Sequence, residues 1–239
     1  MRDIRQALYI KSRHRGIIAS MTRFAYVVVA AIALAACTND GYDTGDGNYS
    51  YLTAEMALLH TNSDKAVASA TLDDGTMLNM AKPFVTNFAN KADTIYRALL
   101  YYDKSENATS PVTPRGVTQV PVMNIKEAED VQDMHTDPLG IESMWMAKNG
   151  SYLNFSLLLK SGTTDDNLHQ FVGIVSEGMS TDGNGKRHLT LRMYHNQNNV
   201  PQYYTIQRYV SIDMSDIDAD ILDIHVNTYN GEIVKSVVL

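Results

Sequence analysis

Acidic side chains outnumber basic ones 27 to 20 along this 239-residue chain, for a net charge of −7. That sign disfavours a nucleic-acid partner, whose phosphates need basic groups. The length allows one large or two small domains with cores of their own, and the single cysteine rules out a disulfide within the chain.

The basic groups are unevenly placed. Six of them (Arg2, Arg5, Lys11, Arg13, Arg15 and Arg23) precede an apolar run from Phe24 to Ala36. A run of 13 residues is well short of the roughly 20 that cross a bilayer. Basic, then apolar, then small is the order of a secretory signal peptide. The run closes on Leu34-Ala35-Ala36-Cys37, which resembles the bacterial lipobox. Cleavage between Ala36 and Cys37 is expected to leave Cys37 at the new terminus, with diacylglycerol on its sulfur. Met21 is an alternative start, which would leave Thr22-Arg23 as a short basic region. The mature chain then holds 14 basic and 26 acidic side chains, net −12. That charge disfavours adsorption to anionic lipid, so the expected membrane contact is the N-terminal lipid itself, whose two or three chains anchor stably. Thr38 stands where an Asp would favour inner-membrane retention. The expected location is the outer membrane, on either face.

Residues 37–48 read as a flexible tether. Gly41, Gly45, Gly47 and three Asp, with no aliphatic residue after Cys37, bury too little to offset the entropy of ordering. From Tyr49 the pattern is β. Short runs around Glu55–Leu59, Ala66–Leu72, Thr76–Met80 and Ile95–Tyr102 read as strands, and Asp73-Asp74-Gly75 reads as a hairpin turn. Lys82-Pro83 is expected to end the third strand, with a short helical turn over Phe84–Asn90. Val112–Ile125 carries Pro114 and Pro121, so it reads as an edge strand or one broken in two. These elements predict a small OB-like barrel over residues 49–130.

Residues 131–139 read as a connector. Residues 140–239 then show about seven short strands: Ser143–Ala147, Tyr152–Lys160, Leu168–Ser176, His188–His195, Thr205–Met214, Leu222–Tyr229 and Ile233–Val238. Turn signals at Asp182-Gly183-Asn184-Gly185 and Asn230-Gly231 separate them. This spacing predicts an antiparallel β-sandwich. The fold class is all-β, and a fragment from about residue 139 onward is expected to fold alone.

The parts in this order resemble the NigD-like family of Bacteroidota lipoproteins. The resemblance rests on the lipobox, on Leu72-Asp73-Asp74-Gly75-Thr76, on Tyr152-Leu153-Asn154-Phe155, on His188 to Asn196 and on Tyr209-Val210-Ser211-Ile212-Asp213-Met214. It implies an N-terminal OB-like barrel followed by a C-terminal β-sandwich. It implies no reaction.

Motifs for chemistry are sparse. Asp216-Ile217-Asp218-Ala219-Asp220 opens like a calcium loop, but Ile221 and Asn227 stand where Gly and a bidentate Glu are needed. The histidines of the mature chain show no zinc spacing; His188 and His195 sit at opposite ends of one strand and on opposite faces. No nucleophile elbow and no phosphate-binding glycine loop occurs. No cofactor, metal or nucleotide is expected, and no catalytic residue is nominated. Trp145 is expected to anchor the sandwich core. The densest cluster of amides and aromatics is the stretch Asn196–Tyr204, where Asn198, Asn199 and Tyr203 are the candidate ligand-binding residues, with one of Tyr203 and Tyr204 expected in the core. The sheet face of His188, Arg192 and Tyr194 is the second choice. The expected function is a lipid-anchored, non-catalytic binding or assembly module for an envelope protein or a glycan. The alternative is an envelope hydrolase, or a glycan-processing accessory, with a carboxylate site that shows no motif.

Overall fold

A computed structural model describes residues 52–104, 110–163 and 168–239. The signal segment, the cleavage pair Ala36-Cys37 with its lipidation residue, and the tether lie outside the described residues. Residues 51–239 make one compact unit.

Five strands open it: β1 (Leu52–Thr61), β2 (Val67–Leu72), β3 (Met77–Phe84), β4 (Ile95–Asp103) and β5 (Thr113–Gln119), in sheet order β3-β2-β1-β4-β5. A parallel bridge between Met80 and Val112 brings the two ends together. Val112 N–H donates to Asn79 O, and Ala81 N–H to Val112 O, both at 2.9 Å. The circuit 1-2-3-5-4 is that of a partly open, five-stranded OB-type barrel, as the sequence predicts. Alternation along β4 explains its lining. Ala98, Leu100 and Tyr102 face the barrel core with Ala57, Leu59, Ala70, Leu78 and Val112, whereas Arg97, Leu99 and Tyr101 face outward.

Three details depart from the sequence reading. β3 runs through Pro83 to Phe84, because a proline at the sheet margin loses no ladder donor. Residues 85–94 contain no helix; Thr86 Oγ1 instead accepts the Ala89 N–H at 2.8 Å. The strand expected over 112–125 is broken into three pieces. After β5 come β6 (Val122–Met123), β7 (Ile125–Glu127) and a 3-10 turn over Ala128–Asp130.

β6 and β7 pair with neither barrel strand nor each other. They join two further sheets built from β8 (Gly140–Met146), β9 (Tyr152–Ser161), β10 (Phe171–Thr181), β11 (Arg187–Asn196), β12 (Tyr204–Asp213), β13 (Ile221–Thr228) and β14 (Gly231–Val238). The four-stranded inner sheet has order β6-β12-β9-β8, and the five-stranded outer sheet β14-β13-β11-β10-β7. Strand pairing therefore puts residues 122–127 with the second set of sheets, although their sequence reads as a continuation of the barrel. The sandwich core joins Leu153, Phe155, Leu157, Val210 and Ile212 of one sheet to Ile174, Leu191, Met193, Leu222 and Ile224 of the other. Gly75 (φ +86°) and Gly231 (φ +108°) turn the hairpins β2–β3 and β13–β14 in the left-handed region that favours glycine.

The outer wall of the barrel packs on the inner sheet. Met56, Leu99 and Val120 form a small apolar cluster there with Tyr101, Trp145 and Tyr209. Trp145, expected in the sandwich core, stands in this junction with its ring 6.4 Å from that of Tyr209, edge to face. Its strand neighbours Met144 and Met146 pack on the sandwich core instead.

Candidate binding site

Arg97 dominates the junction. It is 5 % exposed, and four groups reach it. Its Nη1 and Nη2 grip the two carboxylate oxygens of Asp73 at 2.5 and 2.8 Å. Nη2 also donates to Asn154 Oδ1 at 2.9 Å, and Nε to Ser211 Oγ at 3.4 Å. The guanidinium carbon lies 4.2 Å over the Tyr152 ring. Asn154 Nδ2 returns to Asp73 Oδ2 at 2.9 Å, and Ser211 Oγ to Asn154 Oδ1 at 2.7 Å. A buried ion is tolerated when its hydrogen-bonding capacity is filled in this way. Asp73 belongs to the Leu72–Thr76 hairpin, Asn154 to Tyr152–Phe155, and Ser211 to Tyr209–Met214. Three segments that look like turn and strand signatures thus supply one polar network between barrel and sandwich. Burial pushes the Tyr152 phenol up from its ordinary value, helped by the nearby Asp213 carboxylate.

Beside this network the junction opens into a cleft of about 1300 Å³. Its barrel wall carries Leu99, Tyr101 and Thr118, and its sandwich wall Leu157, Phe171 and Arg208. The candidate stretch Asn196–Tyr204 forms one end of it, through Val200. Asn198 and Asn199 both adopt left-handed backbone (φ +46° and +57°), which asparagine tolerates better than most residues. Asn198 Nδ2 donates to His169 O at 2.9 Å, and its own N–H to Asn196 Oδ1 at 2.7 Å. Asn198 therefore shapes the loop, while Asn199 is exposed. Tyr203 and Tyr204 are 78 % and 49 % exposed. Neither is the core residue expected, because the chain enters β12 only at Tyr204 and Tyr203 lies across Gly162 before strand alternation begins.

Gln197 and His195 pin the loop from below. Gln197 Nε2 donates to Lys160 O and Val200 O at 3.0 and 2.8 Å. The buried His195 sets Nδ1 2.9 Å from Asp137 O and Nε2 3.0 Å from Gln170 Oε1.

The second-choice face is occupied by its own ion pairs. Arg192 Nε meets Glu177 at 2.5 Å and Nη1 meets Glu232 at 3.2 Å. Tyr194 stands edge-on to His135 at 5.9 Å. His188 Nδ1 lies 2.6 Å from Asp223 Oδ2, and Ser236 Oγ donates to Asp223 Oδ1 at 2.5 Å. Serine and histidine here bind opposite oxygens of one carboxylate, so His188 is not placed to take the serine proton as a triad requires. The bond to Asp223 holds the His188 imidazole above its ordinary pKa, and bonds from Ser236 and His188 hold Asp223 below its own. Asp218 and Asp220 of the calcium-like stretch both close on Arg187, at 2.7 and 3.4 Å. No cluster of metal-ligating side chains occurs among the described residues, and none of their helices is long and apolar enough to cross a membrane.

An OB-type barrel joined through a buried polar network to a β-sandwich defines the class of protein. Residues 121–239 match the family described as NigD-like C-terminal beta sandwich domain, and the chain belongs to the NigD-like family. The match begins where strand pairing passes from barrel to sandwich. Solved structures of the same fold include a NigD-like immunity protein from Bacteroides caccae (18 % identical, TM-score 0.58, covering 77 % of this chain and 91 % of that one). A suspected toxin-related protein from Parabacteroides distasonis is similar too (19 %, TM-score 0.60, 79 % and 93 %). So is a suspected lipoprotein from Bacteroides fragilis (13 %, TM-score 0.54, 77 % and 96 %). No curated protein matches the chain.

Sequence reasoning missed Arg97 and Arg208. The signal for Arg97 is a cation inside Ile95-Tyr96-Arg97-Ala98-Leu99-Leu100-Tyr101-Tyr102: a charge amid large apolar residues implies a buried partner. Arg208 sits in a mixed segment and gives no such signal.

Proposed function

We propose that this protein is a lipid-anchored component of the cell envelope, held at the outer membrane through Cys37, and that its fused β unit binds another envelope protein without acting on it chemically. The observation that carries the binding role is the cleft between barrel and sandwich, whose walls are fixed relative to each other by the buried Arg97 network. Rigid walls favour affinity because little ordering entropy is lost on binding. The names of two structural neighbours, an immunity protein and a suspected toxin-related protein, fit a binding role, and a third supports the lipid anchor.

Metabolic labelling with palmitate tests the anchor. Wild type should carry label and sediment with membranes; Cys37→Ala should lose the label and become soluble. Membrane retention without label would overturn it. Incubation of residues 37–239 with envelope glycans and peptides at stoichiometric protein tests the binding role. Any turnover would overturn it in favour of a hydrolase.

A further inference from the structure

β12 is fully paired on one side only. Its ladder with β9 runs from Tyr204 to Asp213 without a bulge. On the other side β6 covers only Ser211 and Ile212. Ser211 N–H donates toward β6, to Pro121 O at 3.0 Å. Alternation along the strand turns the N–H and C=O groups of Tyr209, Gln207 and Thr205 the same way. Among the described residues no strand meets them, and they form an open edge roughly 13 Å long at 3.3 Å per residue. The outer sheet is short at the corresponding place. β7 covers Ile174–Ser176 of β10 and leaves Phe171–Gly173 uncovered. The cleft opens where both sheets lack a strand.

Arg208 marks the gap. Alternation puts it on the core-facing side of β12, between Ile206 and Val210 and directly opposite Leu157 of β9. An apolar side chain belongs at such a position, yet Arg208 is exposed there. The other four arginines of the described residues each meet a carboxylate: Arg97 with Asp73, Arg115 with Asp103, Arg187 with Asp218 and Arg192 with Glu177. Among the described residues Arg208 meets none; its Nη1 reaches only Gln207 O, at 3.4 Å.

Open strand edges are aggregation hazards, commonly blunted by proline, lysine or a bulge. β12 has no proline, lysine or bulge, and Arg208 is the one charged side chain along its open stretch. Its edge is shielded differently: Leu99, Tyr101 and Thr118 of the barrel stand across the cleft.

We infer that the Thr205–Tyr209 edge of β12 is a strand-addition site for an extended, acidic segment of a partner protein, which pairs with the β12 backbone and sets a carboxylate against Arg208. The inference rests on the binding role proposed above and specifies its mode. Backbone pairing supplies affinity and alternate side chains supply selectivity. Those on the Arg208 side enter the gap between the sheets, near Leu157, Leu159 and Val172. The expected pattern is apolar, any, acidic, any, apolar.

The test uses residues 37–239 with Cys37→Ser and a phage library of random linear dodecapeptides. Selected peptides are titrated by fluorescence polarisation against wild type, Arg208→Lys, Arg208→Glu and Thr205→Pro, each checked for an unchanged circular dichroism spectrum. Enriched peptides should show the alternating acidic pattern. They should bind Arg208→Lys comparably and lose at least tenfold in affinity on Arg208→Glu and on Thr205→Pro. Amide exchange supplies an independent readout. Binding should slow the amides of Thr205, Gln207 and Tyr209, while Ile206, Arg208 and Val210, already turned toward β9, change little. Peptides that bind all four proteins alike, or protection without this alternation, would overturn the proposal. Failure to enrich any peptide would also overturn it, while leaving the binding role to stand or fall on its own turnover assay. A wild-type dimer that Arg208→Glu dissociates would assign the edge to a second copy of the chain and likewise overturn it.

Discussion

Arg97 of the barrel donates to Asn154 of the sandwich at 2.9 Å, across the junction and 57 positions along the chain. The same guanidinium holds the Asp73 carboxylate in a two-point grip. Asp73 thereby connects a barrel hairpin to a sandwich strand.

Removing one member of this network leaves the others buried and unmatched. Asp73→Ala should destabilise the protein by about 3–5 kcal/mol, the usual effect of stranding one partner of a buried pair. The double variant Asp73→Ala/Arg97→Met should be more stable than Asp73→Ala alone, because no buried cation is left over. Urea unfolding of the two variants and wild type checks both statements. A double variant no more stable than Asp73→Ala would mean that the stranded Arg97 cation is not the source of the loss.

The network and the strands β6 and β7 should keep the halves together after a nick. Proteolysis within residues 131–138 is expected to give two fragments that co-elute on gel filtration. A fragment beginning at residue 121 should have a higher melting temperature than one beginning at residue 139, since only the longer one retains the partners of β12 and β10. Equal melting temperatures would show that these short strands contribute nothing.

Gly162 is a steric hinge point for the candidate loop. A Cβ there would lie 2.8 Å from Pro201 Cβ and 2.9 Å from Tyr203 Cδ2. Gly162→Val should displace the loop and destabilise by roughly 1–3 kcal/mol, as overpacking does. Thermal melts and the amide shifts of Asn198 to Tyr203 would report it; an unchanged spectrum would count against close packing at this point.

The His188–Asp223 pair predicts a pH dependence. His188 has a raised pKa in the folded protein, so its contribution is fully present below about pH 6.5, the unfolded value, and is lost as pH rises through the folded one. Asp223 and Asp182 have lowered pKa values. Their contributions hold above about pH 4 and are lost as pH falls through the folded values. Wild type should therefore exceed His188→Gln in melting temperature most between about pH 4 and 6.5, and the gap should narrow toward alkaline pH. A gap that widens there would reverse the assignment.

Much of this architecture is legible in the chain because local chemistry decides it. Asp73-Asp74-Gly75 and Asn230-Gly231 turn the hairpins they signal. Leu189, Leu191 and Met193 line the buried side of β11 as their alternation requires. The passage from β5 to β7 is not legible. Strands of two and three residues are too short to show a period, and their pairing is set by partners about 50 and 90 residues away. Arg97 fails for a related reason. Its burial depends on Asp73, Asn154 and Ser211 meeting in space, and each reads locally as an ordinary turn or strand residue. In the loop, Asn198 and Tyr203 stand out by composition, but only the structure separates a side chain that shapes the turn from one that faces solvent. Arg208 becomes distinctive only once β6 is seen to end two residues into its pairing with β12.

The network also orders events in time. Arg97 and Ser211 are separated by 114 positions, and protein synthesis runs from the N-terminus at roughly 5–20 residues per second. The barrel strands emerge several seconds before β12 can supply its hydroxyl. Until then Arg97, Leu99 and Met56 face water on a surface that the finished molecule buries. Contacts of such long range slow folding, so the nascent barrel passes through an interval with a sticky outer wall and a solvated ion pair. For the exported protein proposed above, that interval would matter. A barrel whose outer wall awaits the last third of the sequence is slow to reach its final packed state, which leaves a window for translocation.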